Sequence, residues 1–171
     1  FSTYYAEILR GEGFNAFATA DLSTVTATVL NGYDAVILGE GALTAAQVTM
    51  FTNWVNGGGN LVAMRPDKQL AGLLGLTDAA ATLSNAYLLV NTASAPGVGI
   101  YNQTMQFHGV ADRYALNGAT SLATLYSNLT TATNDTACLL SLGSGNWRVL
   151  WYCKANGTSI ASLTNFPDGT V

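Results

Sequence analysis

The sequence predicts an α/β fold, an open and mostly parallel doubly wound sheet with a C-terminal antiparallel hairpin. Residues 34–38 and residues 60–64 are short apolar runs that end at turn residues, as is typical of strands buried on both faces. Between them, Thr44 and Gln47 form a capping-box pattern ahead of an apolar helical stripe that ends at residues 57–59, all glycine. Two parallel strands joined by such a helix should wind right-handedly.

The remaining elements follow in chain order from periodicity and turn residues. Helices are predicted at residues 4–11 and 21–30 and around the leucine stripe 70–74, strands at 14–19, 86–90, 103–108 and 121–126, a turn at 109–114 and a loop at 128–136. The chain opens on a helix that this fold normally feeds from a strand. We therefore expect either that the first strand lies upstream of residue 1 or that another chain covers the sheet there. One domain over residues 1–171 is predicted, with a core at 1–152 and an irregular tail at 153–171.

A hairpin is predicted near the end of the chain. Cys138 and Cys153 lie symmetrically about Gly145 and Asn146, so that a two-residue turn there would place the cysteines opposite each other. A disulfide is one interpretation, and two unrelated thiols are the other.

The core resembles the class I glutamine amidotransferase-like superfamily, in particular its ThuA-like branches and the non-catalytic domains of secreted bacterial proteins. The segments that carry the resemblance are YDAVILGEG at residue 33, FTNWVNGGGNLVAMRPD at residue 51, QFHGVADRY at residue 106 and GSGNWRVLW at residue 143. The resemblance implies the α/β fold. In the enzymes of this superfamily a cysteine occupies the turn that corresponds to residues 63–68, where this chain has no Cys or Ser. Thiol-dependent glutamine hydrolysis is therefore disfavoured.

Composition indicates an extracellular or cell-surface protein. Only 9% of the residues are charged, the net charge is −4, and the six basic residues do not cluster, which excludes a nucleic-acid-binding face. No run is long enough to predict a membrane span. N-glycosylation triplets begin at Asn102, Asn128, Asn134 and Asn156, although a chain rich in Thr and Asn produces several by chance.

A ligand site is expected where the parallel strands end, because ligands of open α/β sheets bind outside the carboxyl ends of the strands. Glu40, Arg65 and Asp67 follow the two central strands, and His108 and Asp112 follow a later one. These five residues are the predicted ligand-binding set, and Glu40, Asp67 and His108 are the catalytic candidates. No metal site or cofactor is predicted, since a single histidine cannot form a multi-histidine cluster.

Each candidate also has a structural interpretation. In this interpretation His108 orders its own turn by a hydrogen bond to a backbone carbonyl, and Glu40 caps the next helix. For Arg65 and Asp67 there are two such interpretations, an ion pair with each other and a role of Asp67 as the N-cap of the helix that follows. Asp112 and the arginine after it would then be a solvated turn pair.

Three functions remain open from the sequence. The first is a non-catalytic binding or structural module of an extracellular protein, whose partners are other domains, copies of its own chain, or a carbohydrate or small molecule. The second is a hydrolase or carbohydrate-active domain that uses Glu40, Asp67 and His108. The third is a self-assembling surface or filament protein that pairs through an open sheet edge.

Overall fold

One mixed β-sheet forms the centre of the protein. The computed structural model describes residues 2–93, 97–143 and 146–151, and within them nine strands belong to this sheet. The strands are β1 (Ala35–Leu38), β2 (Asn60–Met64), β3 (Leu76–Ser84), β4 (Tyr87–Val90), β5 (Met105–Gln106), β6 (Val110–Leu116), β7 (Thr120–Tyr126), β8 (Ala132–Gly143) and β9 (Asn146–Trp151). The helices are α1 (Ser2–Gly11), α2 (Ala27–Leu30) and α3 (Ala45–Asn56), and single 3-10 turns lie at Leu22–Thr24 and Lys68–Leu70.

The predicted mostly parallel, doubly wound sheet is wrong. The strand order is β1-β2-β9-β8-β7-β4-β5, with β6 paired to β3 and β8. Among the described strands, β2 pairs in parallel with β1 and with β9, and the other pairs are antiparallel. Parallel neighbours need a crossover of about a dozen residues or more. Beyond β2, the short connections of β7 to β8 and of β8 to β9 allow only hairpins.

The predicted unit of β1, α3 and β2 is confirmed. The Thr44 hydroxyl accepts a hydrogen bond from the Gln47 backbone N–H at 3.3 Å, and the Gln47 side chain accepts one from the Thr44 N–H at 2.9 Å. The helix ends at Gly57. Phe51, Trp54 and Val55 lie on the side of the helix that faces the sheet, and they are buried there. The capping box therefore begins a helix whose apolar stripe anchors the parallel end of the sheet.

Several flanking predictions are wrong. Residues 14–19 do not form a strand, and the predicted helix at 21–30 is a 3-10 turn followed by the single turn α2. The leucine stripe 70–74 is not a helix, because Leu70 ends a 3-10 turn and residues 71–74 form turns. The predicted turn 109–114 lies almost wholly in β6. The small, polar and leucine residues at 76–84 form β3, which was not predicted from the sequence. The local sequence pattern of β3 is weak, and β3 is a strand because it pairs with β6.

The C-terminal hairpin is confirmed, with a different register. Leu142 pairs with Trp147 and Gly143 with Asn146, which places the turn one residue earlier than predicted. In this register Leu139 lies opposite Leu150, so the symmetry that would set Cys138 opposite Cys153 is lost. Cys153 and the tail beyond it lie outside the described residues. The disulfide stays a prediction.

The main core lies between α3, the parallel strands and the first part of β3. Its members with little or no exposure include Phe51, Val55, Leu61, Leu70 and Leu74. A smaller cluster forms around Phe107, Ala111 and Leu125. No helix within the described residues is long and apolar enough to cross a membrane.

The glycosylation triplets differ in setting. Asn102 and Asn128 are exposed, and the Asn128 side-chain oxygen accepts hydrogen bonds from the backbone of Thr130 and Thr131. Asn134 lies in β8, and Asn156 lies outside the described residues. Glycosylation stays a prediction at all four.

Candidate functional site

Three of the predicted site residues meet in one ion-pair network. The Arg65 guanidinium donates from Nη1 to Glu40 Oε1 at 2.8 Å and from Nε to Asp112 Oδ2 at 2.9 Å. The side chain of Asp112 is only 11% exposed, and those of Arg65 and Glu40 are 24% and 30% exposed. The predicted pairing of Arg65 with Asp67 is therefore wrong, and Asp112 is a buried strand residue and not part of a solvated turn.

Different elements bring these groups together. Glu40 follows β1 and Arg65 follows β2, so both stand at the carboxyl ends of parallel strands, as the sequence predicted. Asp112 comes from β6, where it lies opposite Thr82 of β3. Arg65 adopts a positive φ of 46°, a left-handed conformation that costs a non-glycine residue about 1–2 kcal/mol. The two ion pairs hold the arginine in that strained conformation. Backbone strain of this kind persists only where the surrounding contacts fix the residue in place.

Lys68 and Asp78 extend the network. Lys68 Nζ lies 2.8 Å from Asp78 Oδ1 and 4.0 Å from Asp112 Oδ1. Asp112 therefore faces a cation at each of its oxygens, with Arg65 on one and Lys68 at the limit of ion-pair distance on the other. We call Glu40, Arg65, Lys68, Asp78 and Asp112 the charged cluster.

Asp67 lies beside the cluster in a structural role. Its Oδ1 accepts from the Gln69 N–H at 2.9 Å, and its Oδ2 accepts from the Leu43 N–H at 2.8 Å. These backbone bonds, that of Gln69 foremost, lower the pKa of the Asp67 carboxyl. The N-cap interpretation is confirmed, on a 3-10 turn and not on a longer helix. Asp67 ties the loop after β1 to the loop after β2.

Tyr114 lies below the charged cluster. It is on the same face of β6 as Asp112, it is 1% exposed, and its hydroxyl has no hydrogen-bond partner among the described residues. Burial first, and then the nearby carboxylates of Asp112 and Asp78, raise the pKa of the Tyr114 phenol. The phenol is therefore a neutral group that packs in the core under the ion pairs.

His108 is not part of this arrangement. It is exposed in the connection between β5 and β6, and the ion pairs of Glu40, Arg65 and Asp112 do not involve it. It precedes Asp112 along an extended segment, which places it up to about 13 Å from that residue at the rise of a strand. Arg113, which faces the other side of β6, pairs with Asp135 instead.

In the charged cluster three carboxylates lie against two cations, and each of the five members takes part in an ion pair. Glu40 and Asp112 direct oxygens at the same guanidinium, and within the described residues no group of three or more His, Cys, Asp or Glu side chains is placed to hold a metal ion. Sequence reasoning missed Lys68, Asp78 and Tyr114. An acidic residue in β3 and an alternating pattern in β6 were the available signals, and neither indicates pairing without the register of those strands.

A second feature lies at the opposite end of the same strands. An open cavity of about 350 Å³ is lined by the end of α2, the residues before β1, the end of α3 and the start of β2. We call it the amino-end cleft. Its lining residues are Asn31, Tyr33, Asp34, Asn53, Trp54, residues 57–59 and Asn60. No site was predicted from the sequence at this end of the strands.

Comparison with known proteins identifies similar folds only. No family model matches the chain, and no curated protein sequence does. The β-galactosidase from Bacillus circulans sp. alkalophilus is similar in structure over 75% of this chain and 21% of its own, at 10% identity and a TM-score of 0.59. The α-L-fucosidase isoenzyme 2 from Paenibacillus thiaminolyticus is similar over 77% of this chain and 22% of its own, at 13% identity and a TM-score of 0.55.

A third similar structure is a separate domain. The mmIFT52 N-terminal domain aligns with 88% of this chain and 77% of its own, at 14% identity and a TM-score of 0.60. At these identities the likeness concerns the fold alone. The chain spans about a fifth of the length of the two glycosidases, so it resembles one part of each of them.

Proposed function

We propose that this chain is a non-catalytic module of a larger, extracellular carbohydrate-active protein, in which it binds or positions other parts. The observation that carries the proposal is the position of the Arg65 guanidinium. It pairs with two carboxylates of the charged cluster, Glu40 at 2.8 Å and Asp112 at 2.9 Å. Glu40, at the carboxyl end of β1, was a catalytic candidate from the sequence, and Asp112, within β6, was a member of the predicted ligand-binding set.

A glycoside hydrolase needs two carboxyl groups with separate tasks. One must present a proton to the leaving oxygen, while the other must direct a free lone pair at water or at the sugar. In this protein one oxygen of Glu40 and one of Asp112 face the same cation, and the ion pairs of these two carboxylates do not include His108. Asp67 is occupied by two backbone N–H groups. We infer that the charged cluster and Asp67 hold this end of the sheet rigid and do not act on a substrate.

The similar solved structures support the carbohydrate context. Two of them are glycosidases of which this chain matches about a fifth, as an accessory part would. The sparsely charged composition supports an extracellular setting. The partners under this proposal are the other domains of the parent protein, and the resemblance to the amidotransferase-like superfamily stays a prediction.

The test is hydrolysis. The chain is incubated at high concentration with p-nitrophenyl glycosides and with neutral oligosaccharides, and release of nitrophenol or of reducing ends is measured for the wild type and for Glu40→Gln. The proposal predicts no release above the rate of the buffer for either protein. Release by the wild type that disappears in a folded Glu40→Gln variant would establish the carbohydrate-active enzyme instead.

A further inference from the structure

The amino-end cleft has the chemistry of a saccharide site. Among the described residues, no hydrogen bond links the side-chain amide of Asn31 or Asn53 to the protein, and both residues are exposed. Each amide offers an acceptor oxygen and two donor hydrogens. Asp34 adds a carboxylate at the same cavity. Planar groups of this kind form paired hydrogen bonds with the adjacent hydroxyls of a sugar ring.

The cleft also offers an aromatic face and room for a ring. Tyr33 is 44% exposed and lines the cleft, so its ring is accessible for packing against the apolar face of a sugar. Trp54 does not serve this purpose, because Gly59 packs so closely on its indole that a Cβ at that position would overlap the ring. The glycines at 57–59 keep one wall free of side chains. The volume of about 350 Å³ is at the small end of the range for ligand pockets.

The local electrostatics select against acidic ligands. The cleft lies at the C-terminal end of α3, where the helix dipole is negative, and the last turn of that helix carries no basic residue. The Asp34 carboxylate adds a negative charge. A ligand that donates hydroxyl hydrogens is favoured here, whereas a uronic acid is repelled.

We propose that the amino-end cleft binds one ring of a neutral saccharide, through Asn31, Asp34 and Asn53 with packing on Tyr33. This inference rests on the proposed function and assigns the ligand contact to a particular place on the module. It puts the contact at the opposite end of the parallel strands from the charged cluster. In this arrangement the charged cluster makes one end of the sheet rigid, and the amino-end cleft at the other end recognises the ligand.

The experiment is a titration of the ¹⁵N-labelled chain followed by NMR. The probes are lactose, cellobiose and maltose as neutral disaccharides, and digalacturonic acid as the acidic one. At least one neutral disaccharide is expected to shift the backbone amides of residues 57–59 and the side-chain amides of Asn31 and Asn53. Digalacturonic acid should bind about tenfold more weakly or not at all.

Variants locate the site. Asn31→Ala and Asn53→Ala remove exposed amides that form no hydrogen bond within the described part of the protein. Both variants should therefore keep the wild-type melting temperature, while saccharide binding weakens about tenfold for each. Gln103→Ala is the matched control, since it removes an exposed amide outside the cleft and should leave affinity unchanged.

Each outcome decides the inference. Absence of shifts at the cleft with every neutral disaccharide overturns it, as does stronger binding of the acidic probe. Binding that neither cleft variant weakens also overturns it but leaves the proposed function standing, with a contact elsewhere. Hydrolysis of a probe during the titration contradicts the proposed function itself, whatever the cleft variants do.

Discussion

Replacement of Arg65 by alanine should destabilise the protein more than replacement of a solvent-accessible arginine usually does. It leaves Asp112, whose side chain is 11% exposed, without its closest cation. Breaking a buried pair by removal of one partner costs about 3–5 kcal/mol, whereas exposed pairs contribute about 0–1 kcal/mol. Because the Arg65 side chain is 24% exposed, solvent screens part of the interaction. We expect the free energy of unfolding to fall by about 2–3 kcal/mol.

Two further variants separate the ion pairs from the backbone strain. Arg65→Gly removes the same ion pairs but relieves the left-handed conformation at φ 46°, so it should be about 1 kcal/mol more stable than Arg65→Ala. Asp112→Asn in the Arg65→Ala background removes the carboxylate charge that has lost its closest cation. The two substitutions should therefore couple by about 1–3 kcal/mol in a double-mutant cycle.

The assay is urea unfolding followed by tryptophan fluorescence, with equal slopes required for comparison between variants. Arg10→Ala is the control, since Arg10 is an exposed arginine whose guanidinium lies 5.1 Å from the ring centre of Phe17, a contact that contributes about 0.5–1 kcal/mol. A loss for Arg65→Ala no larger than that for Arg10→Ala, or strict additivity with Asp112→Asn, would refute the reasoning.

Three other substitutions test the elements that hold the site. Thr44→Ala removes the N-cap half of the capping box and should cost about 1 kcal/mol in urea unfolding, with Thr49→Ala on the exposed side of the same helix as control. Gly59→Ala places a methyl group against the Trp54 indole and should cost about 1–3 kcal/mol, and an unchanged melting temperature would contradict that packing. The pKa of Asp67 is lowered in the folded state, so its stabilising contribution is complete above the ordinary aspartate value of about 3.9 and is lost as pH falls through the lower folded value. Asp67→Asn should therefore flatten the fall in stability in that acidic range, and parallel pH profiles of the two proteins would contradict this.

The parallel end of the protein was predictable from sequence because its signals are local. The capping box of Thr44 and Gln47, the glycines after α3 and two compact apolar runs each act within a few residues. Placement of Glu40 and Arg65 near each other followed from the parallel pairing of β1 and β2. Family resemblance then extended this unit too far, to a mostly parallel sheet in which only the C-terminal hairpin was antiparallel.

The antiparallel part was not predictable from local pattern. β3 carries small and polar residues with little hydrophobic alternation, and it is a strand because β6 supplies its partner. The burial of Asp112 follows from that same pairing together with the cation of Arg65, which comes from far along the chain. Without the position of its cationic partner, a strand carboxylate such as Asp112 is predicted from the sequence as a solvated turn residue.

One incubation tests the central claim most directly. The chain is mixed with a neutral disaccharide that shifts its NMR spectrum, and the saccharide signals are followed in the same tube over days, in parallel with Glu40→Gln. The account predicts that the disaccharide binds, remains intact and behaves identically with both proteins. Conversion of the disaccharide by the wild type, lost in a Glu40→Gln protein that still folds and binds, would contradict the account and make the charged cluster a catalytic centre.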